Sequence, residues 1–175
     1  SFIFTAKYPS IIKKLILVGS GVFEKKYAVK IMKTRLSRLS EEERFEAKAL
    51  MGTINDPDIA DRNTLMCRFG KLISKADSYN PLPYKSEVLE YQHHIFKSVW
   101  KDAEELRDSG ELLKLGKQIQ CPVVAIHGSY DPHPGEGIQK PLSRVIKNFR
   151  FILLKNCGHY PWIERIARDR FYNIL

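Results

Sequence analysis

Asp131 and His159 are the side chains whose types and surroundings best support chemistry. Asp131 lies in Gly128-Ser-Tyr-Asp-Pro-His-Pro134, just past the apolar run Val123-Val-Ala-Ile126. His159 follows Phe149-Arg-Phe-Ile-Leu-Leu154 and the turn Lys155-Asn-Cys-Gly158. An imidazole of ordinary pKa, ~6.5, takes and returns a proton near neutrality. A carboxylate accepting from its other nitrogen fixes the tautomer and stabilises the imidazolium that forms during acyl transfer. Gly158 lets the chain turn sharply before the ring. Each residue alone has a plainer reading: Asp131-Pro132 as a turn pair, His159 as a loop histidine bonded to backbone. Two short apolar runs in succession, each ending in a turn with a useful side chain, point instead to an acid–base pair at one edge of a parallel sheet.

The remaining histidines offer less. His133, two residues from Asp131, is a candidate to line the site, with a surface-loop position as the alternative. His127 ends a strand and is expected to bond backbone in the turn. His93 and His94 are adjacent rather than four apart, so they lack the pairing of a helical metal site. Cys67, Cys121 and Cys157 have no C-x-x-C spacing, which indicates neither a zinc site nor a disulfide framework. No metal or cofactor is expected.

The elements that must position these groups follow from pattern. Residues 2–8 read as the last turns of a helix stopped by Pro9, and Leu15-Ile-Leu-Val18, closed by glycines, as a buried strand. From Glu24 the period changes. A basic helix is expected over 24–38. Ser40-Glu-Glu-Glu43 forms a capping box that starts a second helix, running to about Ile54 and stopping at Asn55-Asp-Pro57. A third covers roughly 58–76. In a fourth, Val88, Tyr91, Ile95, Val99, Ala103 and Leu106 recur at three- and four-residue steps and predict one buried face. Strand and helix then alternate over 122–127, 135–147, 149–154 and 162–175. The fold class is therefore α/β: a short parallel sheet of about three strands interrupted by a helical insertion. The domain reading is core over 1–23, helical cap over 24–116, and core again over 117–175.

Composition agrees. A chain of 175 residues, 43% hydrophobic and 11% aromatic, can bury a core. The net charge of +9 raises nucleic acid as a partner. However, the cations are scattered at helix-solvating spacings, as in Lys25, Lys26, Lys30, Lys33, Arg35 and Arg38, with no interleaved aromatic motif. Neither nucleic acid nor membrane is expected as a partner. The cysteines indicate no disulfide framework, so a reducing cytoplasm is the expected location; the given residues contain no apolar run of ~18 residues, so no membrane span is expected.

The segment Ile119-Gln-Cys-Pro-Val-Val-Ala-Ile-His-Gly-Ser-Tyr-Asp131, followed by Cys157-Gly-His-Tyr-Pro-Trp162 and Ala167-Arg-Asp-Arg-Phe-Tyr-Asn-Ile-Leu175, resembles the C-terminal part of α/β-hydrolases. Tyr8-Pro9 and Ile12-Lys-Lys-Leu-Ile-Leu-Val-Gly-Ser-Gly21 resemble the end of that family's nucleophile helix and its next strand. Carried over position by position, the resemblance makes Asp131 the triad acid and His159 the base, with a helical cap in the family's variable position. It implies hydrolysis of a small ester, amide or related bond. Tyr160, Trp162 and His133 are then candidate substrate contacts near the chemistry. Tyr79, Tyr84, Tyr91 and Trp100 are candidates in the cap, with core packing as their alternative.

One departure stands out: the nucleophile elbow G-x-S-x-G occurs nowhere in the 175 residues. The expectation is thus a chain inactive alone, its serine supplied from a missing N-terminal half, with Ser1, Ser20 and Ser129 the first residues to test otherwise. The alternative is a non-enzymatic remnant or assembly subunit whose cap and exposed sheet edge bind another polypeptide; separately, the chain is expected to be stable only with the missing N-terminal half or by self-association.

Overall fold

A computed structural model describes residues 1–54, 56, 58–59, 61–83 and 93–175. The chain begins with α1 (Phe2–Lys7) and β1 (Leu15–Val18). It passes through α2 (Ile31–Ser37), α3 (Glu41–Ile54), α4 (Arg62–Asp77), α5 (His93–Asp108) and α6 (Glu111–Leu115). It then alternates β2 (Val123–Gly128), α7 (Glu136–Val145), β3 (Phe149–Leu154) and α8 (Arg168–Tyr172). The three strands form one parallel sheet in the order β1-β2-β3, with Leu15 opposite Val123 and Val123 opposite Phe149.

Alternation along the strands divides the core. Leu15, Leu17, Val123, Ala125, Phe149 and Phe151 face the layer of α1, α6 and α7, where Phe2, Ala6, Ile138 and Leu142 are buried. Ile16, Val18, Val124, Ile126, Ile152 and Leu154 face α8 through Ala167 and Phe171. Runs apolar on both faces are what a sheet covered by helices on two sides requires. Among the described residues no helix is long and apolar enough to cross a membrane.

Between β1 and β2 the helices make small cores of their own, with Leu39, Ala47 and Ala76 in one and Leu50, Ile54 and Met66 in another. The capping box at α3 is made in both directions: Ser40 Oγ accepts from Glu43 N at 3.2 Å, and Glu43 Oε2 accepts from Ser40 N at 3.1 Å.

The structure departs from the sequence expectations at four places. The basic helix is broken into a 3-10 turn at Lys25–Tyr27 and α2. Tyr27 docks so closely on α7 that a Cβ at Gly137 would lie 2.8 Å from the Tyr27 Cβ, and Phe23 N bonds Gly137 O at 3.1 Å. That tertiary docking overrides a continuous helix. The third helix starts at Arg62 because Asp61 caps it, accepting from Thr64 N at 3.1 Å. The apolar stripe of the fourth helix is not buried: Ile95 and Val99 are each about half exposed, as is Trp100 beside them. Periodicity reports a stripe, not a partner for it. Val88 and Tyr91 of that stripe, with Asn55 and Pro57 of the turn expected to end the second helix, lie outside the described residues. Finally, 162–175 is a 3-10 turn at Pro161–Ile163 followed by the short α8, because Glu164 turns inward between them and is buried.

Candidate active site

β2 and β3 end at the same edge of the sheet, and each hands over to a tight turn. After β2, Asp131 N bonds Gly128 O at 3.2 Å. After β3, Asn156 takes a positive φ of 52°, a conformation asparagine tolerates better than most residues. The two turns interlock, with Tyr130 N donating to Cys157 O at 2.8 Å. A Cβ at Gly128 would stand 2.2 Å from the carbonyl oxygens of Cys157 and Gly158, so only glycine permits this approach.

The interlocked turns bring Asp131 and His159 together. Asp131 Oδ2 lies 2.7 Å from His159 Nδ1. A carboxylate only accepts, so Nδ1 carries the proton and the lone pair of the neutral ring resides on Nε2. That atom makes no hydrogen bond to a described residue. β1 closes the third side: Gly19, at φ +51°, runs so near that a Cβ there would sit 2.3 Å from His159 O.

His133 is not a surface-loop residue but a second ligand of the same carboxylate. Its main-chain N donates to Asp131 Oδ1 at 2.9 Å and its Nδ1 at 2.8 Å. Its ring lies 5.0 Å from that of His159. His127 bonds backbone, its Nε2 donating to His133 O at 2.8 Å. Among the described residues its Nδ1 is then a buried acceptor without a partner. Burial pushes the His127 pKa down, against the opposing pull of Asp131. For Asp131 itself burial pushes upward, but the hydrogen bonds from His133 and His159 and the attraction of the rings outweigh it, holding the carboxyl well below the usual range. Asp131, His133 and His159 are also the described residues whose ligand atoms converge, within 4.8 Å of one another.

Tyr160 stands edge-on to His159 at 4.8 Å and Trp162 edge-on to Tyr160 at 5.5 Å. They form an aromatic file leading away from the base, with Trp162 41% exposed. Tyr79 packs on Tyr130 at 5.3 Å, close to Asp131 in sequence. Trp100 instead sits on α5, against Phe96. Tyr84 and Tyr91 lie outside the described residues.

Ser1 precedes α1, Ser20 follows β1, and Ser129 accepts from Asn156 N at 3.1 Å. None of the three bonds the His159 ring. Cys157 is no substitute nucleophile. Burial pushes its thiol up to about 12, with the negative charges of Glu164 and Asp131 adding to the effect, and an inert thiol is the consequence.

Glu164 and two cations expected only to solvate a helix surface, Arg35 and Arg38, also converge here. Arg38 lies over the Tyr130 ring at 3.6 Å and bonds Ala76 O. Arg35 grips the buried Asp77 through two bonds, Nε to Oδ1 at 2.8 Å and Nη2 to Oδ2 at 2.7 Å. Glu164 lies beneath the His159 turn. The spacing of Arg35 and Arg38 signals only a solvated helix face, and a lone Glu164 between a 3-10 turn and α8 carries no spacing signal.

Neither a family model nor a curated protein sequence matches the chain. Solved structures do match in fold. VinJ superposes with a TM-score of 0.63 at 14% identity, over 99% of this chain and 59% of that one. MGS-M2, an α/β-hydrolase enzyme from a deep-sea metagenome of the Medee basin, gives 0.52 at 15%, over 99% and 58%. Proline iminopeptidase of Mycobacterium smegmatis gives 0.52 at 14%, over 99% and 58%. The fold is thus a partial α/β-hydrolase fold, and the chain spans a little under three fifths of these structures.

Proposed function

We propose that Asp131 and His159 are the acid and base of a Ser-Asp-His hydrolase that cleaves a small ester, amide or related bond without a cofactor. The observation that carries the reading is the 2.7 Å bond from His159 Nδ1 to a buried carboxylate, with Nε2 left free to act on a hydroxyl. In this reading Nε2 removes the serine proton as Oγ attacks the carbonyl carbon. The imidazolium is held by Asp131 and returns the proton to the leaving group, and a water repeats the cycle on the acyl-enzyme. The serine comes from outside these 175 residues, on a segment that pairs with the open side of β1. The insertion between β1 and β2 acts as the cap, and Tyr160, Trp162 and His133 meet the substrate.

The experiment compares chromogenic esters in two preparations. The 175-residue chain alone is expected to hydrolyse them no faster than its Asp131→Asn or His159→Ala variants. The protein produced from its full reading frame is expected to show saturable hydrolysis that Asp131→Asn lowers by about 10⁴-fold, as loss of the tautomer-fixing carboxylate does. Saturable hydrolysis that survives both substitutions would overturn the assignment.

A further inference from the structure

Glu164 lies five residues past His159 and is fully buried, at 0% exposure. A carboxylate removed from water is strongly disfavoured unless its lone pairs are used. Among the described residues no cationic side chain bonds it, and the compensation comes from main-chain amides. Oε1 accepts from Gly158 N at 2.8 Å and from Tyr79 N at 2.7 Å, and Oε2 accepts from Asn80 N at 2.7 Å. Hydrogen bonds from amides to an ionised acceptor are the short, strong kind.

The three donors belong to two segments. Gly158 is the hinge of the His159 turn; Tyr79 and Asn80 lie within the helical insertion, directly after α4. Main-chain bonds run beside the carboxylate from the same two segments. His159 N donates to Asp77 O at 2.8 Å, Leu82 N to Ile163 O at 2.7 Å, and Arg165 N to Asn80 O at 3.0 Å. A Cβ at Gly158 would stand 2.1 Å from Asp77 O and 2.6 Å from Glu164 Oε1, which accounts for glycine next to the base. On the insertion side, the Arg35 grip fixes Asp77. Arg38 ties Ala76 to Tyr130, the neighbour of Asp131.

We infer that Glu164 is a positioning residue: its carboxylate holds the segment after α4 and the His159 turn as one unit, and the Asp131–His159 bond depends on it. Its relevance to catalysis rests on the function proposed above. The bond itself can be followed without any activity.

The test is proton NMR of the His159 Nδ1–H. Held by Asp131, it gives a far-downfield resonance, identified by its loss in His159→Ala. Glu164→Gln keeps the size but leaves one acceptor oxygen for three amides and turns an NH2 toward them. The resonance is expected to broaden or vanish in Glu164→Gln and to persist in Glu46→Gln, a surface control on α3. A folded Glu164→Gln protein with the resonance unchanged overturns the inference.

Should that variant not fold, hydrogen exchange on the unsubstituted protein decides. The amides of Tyr79, Asn80, Gly158 and His159 are expected to exchange as one protected class. Fast exchange at Gly158 and His159, with Tyr79 and Asn80 still protected, overturns it. Loss of the resonance in Glu164→Gln, alongside hydrolysis indifferent to Asp131, would retire the proposed function and leave the positioning role standing.

Discussion

Asp131 stays ionised in a buried place because three donors converge on it, two from His133 and one from His159, while His127 supports the loop from beneath through the His133 carbonyl. This arrangement makes folding sensitive to acid in two separate windows. His127 is held neutral by burial, whereas in the unfolded chain its pKa is ~6.5. Below that pH the unfolded chain binds a proton that the folded ring refuses. The stability tied to the neutral ring is therefore full above ~6.5 and is lost as pH falls through ~6.5 toward the folded value. Asp131, with its folded pKa depressed, contributes fully above its unfolded value of ~3.9 and loses that contribution as pH falls toward the folded one. The thermal midpoint is thus expected to decline already between about pH 7 and pH 5, and this early decline should shrink in His127→Gln while the fall below about pH 4 remains. Parallel wild-type and variant curves between neutrality and pH 5 would contradict the assignment. Asp131 and His159 were legible in the sequence because each follows a short apolar run and a turn. The role of His133 was not, because nothing in the spacing D-P-H distinguishes a side chain folded back on its neighbour from one facing water.

At the scale of elements, local chemistry reads well where the structure uses it locally. Ser40 begins α3 as its box pattern predicts, because both halves of the box lie within four residues. Ser40→Ala should cost about 1 kcal/mol of stability, the usual worth of such a cap, measured by denaturant unfolding with the slope unchanged. A loss near zero would mean that α3 is held by Ala47 and Leu50 alone. The strands β1 and β3 were placed from sequence within their observed bounds, since short apolar runs flanked by glycine or charge leave few other readings. The late start of α4 is local, set by the Asp61 cap; the other misplacements are not. Tyr27 abandons a helix to dock on α7, Glu164 interrupts one to collect amides from Tyr79 and Asn80, and α5 carries an apolar stripe whose partner no helical period can name. For Tyr27 and Glu164 a contact far along the chain outweighs the ~1 kcal/mol range of local propensity.

The whole molecule is built on a three-stranded sheet with β1 at its edge. Leu15 N bonds Pro122 O at 3.0 Å and Gly19 N bonds Ile126 O at 3.1 Å, so β1 spends alternate amides on β2. By the same alternation the amides of Ile16 and Val18 point away from it, among the described residues toward no neighbouring strand. Just before them Phe4, Tyr8 and Ile11 are 49%, 52% and 66% exposed, and burying an apolar side chain of this size is worth ~1.5 to 3 kcal/mol. Lys13 and Lys14 guard only the entrance to the strand, and charge at one end is weak protection for an apolar edge. The proposed pairing of a further segment with β1 would satisfy both the amides and the side chains, and in its absence a second copy of this chain can do so. The purified 175-residue chain is therefore expected to sediment as a dimer or larger species, with the amides of Ile16 and Val18 protected from exchange in the associated form. A compact monomer that unfolds cooperatively at low concentration, with those two amides exchanging freely, would show that the β1 edge is stable in water and needs no partner strand.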